Sequence, residues 1–422
     1  MSASARSASP EPTTGPGPRA VARPGPLRRT LRAALAVFAS FLTFLVVAIV
    51  LGAYVPAIPR IGVIGPVLGG QYPFHMALFG LVGVALGVLA WRGGLVRWGR
   101  VLTALTALAT AGALAIGAVQ FTAAKNAGAD VALGDVFTEL GYPDATPDAT
   151  PIYAVRDGER LKADVYLPEG ARAGARHKAP AIVLAHAGGF HTFDKSDLRG
   201  TGRWLADRGM AVLAVDYRLA TPDRPTWNKA PQDLVTALRW AEDHADEYGI
   251  DADRISMGGM SAGGMSAGGM SAGGTLAMET AYRLQNATLK ATDGRTPKAP
   301  HSVVGFYPGT DVTDMWQHDV AGTCEAAELF TGGTPREYPD RYREVSPTNR
   351  VAKGLQRTLL VVGDRDRSAP PSTVNDLATA LRAKDVDTTV EQLPFAEHAF
   401  DDAYGSLTSQ TSRQILLDFL TR

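Results

Sequence analysis

Residues 254–277 read Arg254-Ile255-Ser256-Met257-Gly258-Gly259-Met260-Ser261-Ala262-Gly263-Gly264-Met265-Ser266-Ala267-Gly268-Gly269-Met270-Ser271-Ala272-Gly273-Gly274-Thr275-Leu276-Ala277. A short apolar run, Ile255 to Gly258, enters this stretch as a strand, and Thr275 to Leu284 leaves it as a helix. Between them stands Gly-Met-Ser-Ala-Gly. A G-x-S-x-G pattern by itself is weak, but between strand and helix it describes a nucleophile elbow. Small flanking residues let strand and helix close around the serine. The helix N-terminus then offers N–H groups and a positive dipole end to a developing oxyanion.

The five-residue unit occurs three times without a gap, with serines at 261, 266 and 271. Five residues advance a helix by about 500 degrees, so the copies share no face. A slipped duplication of coding sequence accounts for the repeat. Ser261 lies at the right distance from the strand, and Ser271 leads correctly into the helix. With Ser261 at the elbow, Gly263, Gly264, Gly268, Gly269, Gly273 and Gly274 fall in or before the helix, at roughly 1 kcal/mol each. With Ser271 there, a strand of Gly-Gly-Met must hold it, and glycine weakens strands as well. The strand argument favours Ser261 slightly and leaves Ser271 as the alternative, with the N–H of Ala262 as one oxyanion donor.

Working outward, Leu184-Ala185-His186-Ala187-Gly188-Gly189-Phe190 follows a buried-strand pattern, Ala181 to Ala185. It is similar to the HGGG-type loop that completes an oxyanion hole, with Ala187 where glycine is usual. Gly188 and Gly189 are the expected donors. Leu359 to Gly363 reads as another buried strand and delivers Asp364-Arg365-Asp366 at its C-terminal end. Asp366 is the expected triad acid, with Asp364 as rival. Last comes Phe395-Ala396-Glu397-His398-Ala399-Phe400, on a loop after the strand Thr388 to Leu393. His398 suits a general base, and the order Ser, Asp, His agrees with that assignment. His186 precedes the serine and belongs to the glycine loop.

The remaining pattern alternates. Ile152 to Val155 and Leu161 to Leu167 flank an Asp157-Gly158 turn, and Ala211 to Tyr217 and Val303 to Tyr307 read as strands. Helices are expected over Asp197 to Arg208, Pro231 to Tyr248, Ser372 to Lys384 and Ser409 to Leu420. Such alternation implies a mostly parallel sheet covered by helices on both faces, the α/β class. The segment from about 310 to 350, with Trp316 and Phe330, reads equally as a substrate cap or as packing.

From about 152 to 420 the chain resembles the hormone-sensitive-lipase-like and feruloyl- and acetyl-esterase-like branch of the α/β-hydrolases. The resemblance is carried by the motifs above together with Asp216-Tyr217-Arg218-Leu219-Ala220, Asp233 to Trp240, Asp253-Arg254-Ile255 and Tyr342 to Pro347. It implies an α/β-hydrolase fold, a Ser-Asp-His triad, hydrolysis of a small carboxylic ester through an acyl-enzyme, and no cofactor. Such motifs are specific for fold and poorly specific for substrate. Two other readings stay open. One is a tethered binding or scaffold protein whose repeat has distorted the elbow, and the other is a serine peptidase of related fold.

The first third is different. Residues 1–32 are rich in Ser, Ala, Pro and Arg and read as a disordered basic tail. Ala33 to Val55, Phe74 to Trp91 and Val101 to Phe121 are uncharged and near the roughly 20 residues that cross a bilayer. Gly83 and Gly87 are spaced to let membrane helices approach. Three such stretches argue for an anchor over residues 33–121, not a cleaved leader. Basic residues lie in the tail (Arg6, Arg19, Arg23, Arg28, Arg29, Arg32) and in the loop with Arg92, Arg97 and Arg100, against only Arg60 and Lys125 on the other side. That bias predicts a multi-pass protein of the cell membrane with its tail inside and the hydrolase domain, 151–422, extracytoplasmic. Membrane lipid is then a partner of the helices. Residues 122–150, with Pro143-Asp144-Ala145-Thr146 repeated from Pro147, read as an extended linker.

Lysine plus arginine and aspartate plus glutamate both total 42, so overall charge attracts no nucleic acid. Neither metal-ligand spacing nor a phosphate loop is present in the sequence. The single cysteine, Cys324, permits no internal disulfide.

Overall fold

A computed structural model describes residues 25–260, 272–320 and 322–422. The tail arginines 6, 19 and 23, all three repeat serines and Ala262 lie outside them.

The sheet has eight strands in the order β1-β2-β4-β3-β5-β6-β7-β8, namely β1 Ile152–Arg156, β2 Glu159–Tyr166, β3 Ala179–Ala185, β4 Ala211–Val215, β5 Ile250–Gly259, β6 Ser302–Phe306, β7 Arg357–Gly363 and β8 Thr388–Leu393. β1 and β2 pair antiparallel, as do β2 and β4, and every later pairing is parallel. The β1–β2 hairpin turns at Asp157 and Gly158, both with positive φ, as a two-residue turn matched to strand twist requires. β3, β4 and β6 are buried along nearly their whole length, which explains why they read as continuous apolar runs. Crossover helices, among them Ala230–Asp243, Ala272–Gln285 and Pro371–Arg382, and the closing helix Leu407–Thr421 pack on the sheet.

Several boundaries shift. β5 starts at Ile250, five residues before the expected Ile255. The helix expected to reach Tyr248 stops at Asp243, where its carbonyls are taken up in tight turns. The helix expected from Asp197 opens as a 3-10 turn, Lys195–Leu198, capped by the Asp194 side chain on Ser196 N–H.

The segment Asp216-Tyr217-Arg218 has a clear structural task. Arg218 is buried and clamps Asp233 at Nε–Oδ2 2.9 Å and Nη2–Oδ1 2.8 Å. A buried charge needs such a two-pronged partner. The pair fixes the chain after β4, and Ala220 N–H then donates to Phe190 O of the glycine loop at 2.8 Å.

Three long helices precede the sheet: α1 Pro26–Tyr54, α2 Pro73–Arg92 and α3 Val96–Asn126. All three are long and apolar enough to cross a membrane. α1 begins at Pro26, inside the stretch read as a disordered tail to residue 32, because proline suits a first helical turn. α3 runs five residues past Phe121. The glycine face of α2 meets threonines of α3: a Cβ at Gly83 would lie 2.7 Å from Thr106 Cγ2, and one at Gly87 2.6 Å from Thr103 Oγ1. The linker is also less free than its prolines suggest. It holds a short helix, Asp135–Thr138, and its two repeated aspartates pair with Arg199 (Asp144, 2.9 Å) and Arg203 (Asp148, 3.0 Å).

Candidate functional site

Strands β5, β6, β7 and β8 are neighbours, so the loops leaving their C-terminal ends share one edge of the sheet. Ligands of open parallel sheets bind at that edge. Asp366 leaves β7 and His398 leaves β8. They meet through His398 Nδ1 and Asp366 Oδ2 at 2.9 Å. The other carboxylate oxygen of Asp366 accepts the Ala369 N–H at 2.7 Å, so both oxygens are held. His398 Nε2 is buried and has no hydrogen-bond partner among the described residues. Asp364 does not meet the histidine, and among the described residues its ion pair is with its neighbour Arg365, at 3.8 Å.

Burial disfavours a charged imidazole, yet the pKa of His398 stands above the ordinary histidine value. The Asp366 carboxylate, by charge and by hydrogen bond, outweighs the burial, and Glu397 and Asp401 add to it. Burial raises Asp364 and Glu397 above the usual carboxylate range.

Two further groups border the histidine that the sequence reading did not single out. The Tyr307 ring, just after β6, lies 4.5 Å from the His398 ring, centroid to centroid. Its hydroxyl donates to Asp401 Oδ1 at 2.6 Å. Burial pushes Asp401 up to about 7 against that hydrogen bond. Asp401 stands three residues after His398, and that proximity was the only signal available in the sequence.

The glycine loop after β3 carries the expected backbone. Gly188, Gly189 and Phe190 all have positive φ. A Cβ at Gly188 would strike the Thr192 carbonyl, so glycine is required there. Ala187 has no positive φ, which explains why alanine is tolerated where the pattern usually has glycine. His186 stacks on Tyr217 at 4.3 Å, and burial lowers its pKa to about 4. It is a neutral buried ring of the loop, apart from the Asp366–His398 pair. Phe190 stacks on Phe330 at 3.9 Å, so the segment 310–350 packs its three short helices, Val312–His318, Thr323–Thr331 and Pro339–Val345, with Phe330 against this loop.

The flanks of the repeat are closed on each other. β5 ends at Gly259, Met260 N–H still donates to Ala185 O of β3, and the next helix starts at Ala272. A Cβ at Gly259 would collide with the Gly273 backbone, and one at Gly273 with the Ala185 carbonyl. Strand end, helix start and the end of β3 thus touch where an elbow belongs. Ser261, Ser271 and Ala262 lie outside the described residues. Among those described, no grouping of His, Cys, Asp and Glu has the arrangement of a metal site.

Residues 163–381 match the BD-FAE family. Esterase LipC of Mycobacterium tuberculosis is 29% identical over 215 residues, 50% of this chain and 51% of LipC. Ethyl acetate hydrolase of Pseudomonas putida is 35% identical over 124 residues, 28% of this chain and 35% of that enzyme. The chain therefore spans about half the length of these curated relatives or less. The apo form of Thermogutta terrifontis esterase 2 superposes with a TM-score of 0.54 at 22% identity, covering 66% of this chain and 96% of that one, a likeness of fold. With the matched family spanning more than half of its residues, the chain belongs to the BD-FAE family, an esterase-like branch of the α/β-hydrolases.

Proposed function

We propose that the protein is a membrane-anchored carboxylesterase-like serine hydrolase working through a Ser-Asp-His triad. The observation that carries the reading is the 2.9 Å Asp366–His398 contact with Nε2 left unpaired among the described residues. Asp366 holds the tautomer with its proton on Nδ1, so Nε2 is the free base. A serine of the repeat attacks the ester carbonyl carbon while Nε2 takes its proton. The oxyanion is received by N–H groups of Gly188, Gly189 and the residue after the serine. As the C–O bond breaks, the imidazolium returns the proton to the departing alcohol. Water, deprotonated by the same nitrogen, then releases the acid from the acyl-serine. The names of LipC and ethyl acetate hydrolase support a small ester as substrate.

β5 keeps the register that Ser261 needs, and we take Ser261 as the nucleophile, with Ala262 N–H as an oxyanion donor. The start of the helix at Ala272 favours Ser271 as the second choice. In the membrane we place α1, α2 and α3 as spans, with residues 151–422 as an extracytoplasmic domain; the arginine bias and the helix lengths support this.

Fluorophosphonate labelling of the full chain tests the assignment. Ser261→Ala and His398→Ala are expected to abolish labelling, whereas Ser266→Ala keeps it. Loss in Ser271→Ala alone would move the nucleophile to the helix end of the repeat. An unmodified protein that takes no label overturns the hydrolase reading and favours a binding role.

A further inference from the structure

The buried polar side chains of the three long helices fall into two groups. Thr43 and Thr106 bond one another at 2.8 Å, and Thr106 and Thr110 also bond back to their own helix. These hydrogen bonds stay within the bundle. Gln71, just before α2, and Gln120, near the end of α3, reach out of it. Gln71 Nε2 donates to Ala399 O at 2.8 Å. Gln120 Nε2 donates to Pro394 O at 3.1 Å and to Gly70 O at 2.8 Å. Pro394 and Ala399 bracket His398 in the loop that runs from β8 to the helix Leu407–Thr421, as the ends of its stretch 394–399.

Between those ends the same helices touch the loop again. The Phe395 carbonyl lies so close to Gly70 that any Cβ there would collide with it. The Phe395 ring meets Tyr54 edge-on at 5.1 Å. Arg367 binds Glu397 Oε2 at 2.9 Å through Nε, and its Nη2 extends to Val63 O at 3.4 Å. The loop itself is strained, since Phe395 and Ala399 both have positive φ without being glycine. Such conformations are unfavourable for residues other than glycine and persist when surrounding contacts over-determine them. Here many of those contacts come from residues 54–120, outside the α/β domain.

We infer that Gln71 and Gln120 are positioning residues: the helical region clamps the loop on both sides of His398 and so holds Nδ1 on Asp366. This rests on reading His398 as the base. Without the clamp the loop relaxes, and the histidine spends less time on its acid. Binding of ester should be unaffected, because among the described residues both glutamine amides donate to the His398 loop and to Gly70, not to the glycine loop.

The test uses the full chain in detergent micelles with Gln71→Met, Gln120→Met and the double variant. Methionine keeps side-chain length and removes the donor. One lost hydrogen bond to a strained loop corresponds to about a tenfold fall in kcat, and the double variant should fall further, each with KM unchanged. The acid limb of the pH profile should move down toward the ordinary histidine value, a shift that a simple loss of docking would not produce. Full kcat and an unmoved limb in the double variant would overturn the proposal. Amide exchange over residues 395–399 separates this from failure of the hydrolase reading. If the unmodified chain turns over no ester, faster exchange there in the double variant, with β7 still protected, supports the clamp, and unchanged exchange refutes it.

Discussion

The two halves of the molecule place the same residue types in opposite surroundings. In the helical region Phe44 is 70% exposed and Leu108 73%, and Phe41 and Val37 also face outward. In the α/β domain Phe190, Phe306, Phe330 and Phe400 are completely buried. Polar groups follow the reverse rule. The helices turn Thr43, Thr106, Thr110 and Gln120 inward, while the α/β domain carries most of its charge outside. On the proposed membrane placement, one chain answers to two solvents. In water, apolar area is removed at about 25 cal/mol per Å². In a bilayer that drive between helices is absent, and small residues and internal hydrogen bonds hold them together. The regions are nevertheless joined, by packing of α3 on the helix Leu407–Thr421 and by contacts to the loop that carries His398.

The comparison breaks most sharply on topology. If α1 to α3 lie in lipid with the tail inside, protease added to intact spheroplasts removes the domain after residue 150 completely. Protection of that domain until lysis would reverse the orientation.

The two carboxylates after β7 sharpen it next. Asp366→Asn should lower ester turnover by about 10⁴-fold, since the amide favours the wrong histidine tautomer. Asp364→Asn should change it little. Equal losses would reassign the acid. The pH profile carries a sign as well. The proposed base, His398, must be neutral to act, and its pKa is raised, so turnover should fall as pH drops through a midpoint above 6.5. A limb at or below that value would show that Asp366 does not govern the base.

The smallest effect concerns stability. Phe330→Ala should cost the α/β domain about 3–5 kcal/mol, as expected for an aromatic removed from a packed core. Phe44→Ala, measured by the same thermal unfolding in micelles, should cost almost nothing, because that face meets solvent of its own polarity. A large loss at Phe44 would mean that this surface packs against protein instead of lipid.

Patterns confined to one element were legible in the sequence. Period and length alone identified the buried strands, the three long apolar helices, the hairpin at Asp157-Gly158 and the chain order of Asp366 and His398, because each depends on neighbouring residues. Of the two aspartates after β7, Asp366 is the one beside His398. The repeated Pro-Asp-Ala-Thr suggested an extended stretch by its prolines but gave no sign that its aspartates find Arg199 and Arg203, some 55 residues away. Tyr307 and Asp401 were invisible for the same reason: their bond spans 94 positions. The grip of Gln71 on Ala399 spans 328. Local sequence decides which backbone conformations are favourable and which faces are apolar. Which distant carbonyl a glutamine satisfies, and which carboxylate a histidine meets, is decided only when the packed chain excludes water from both partners.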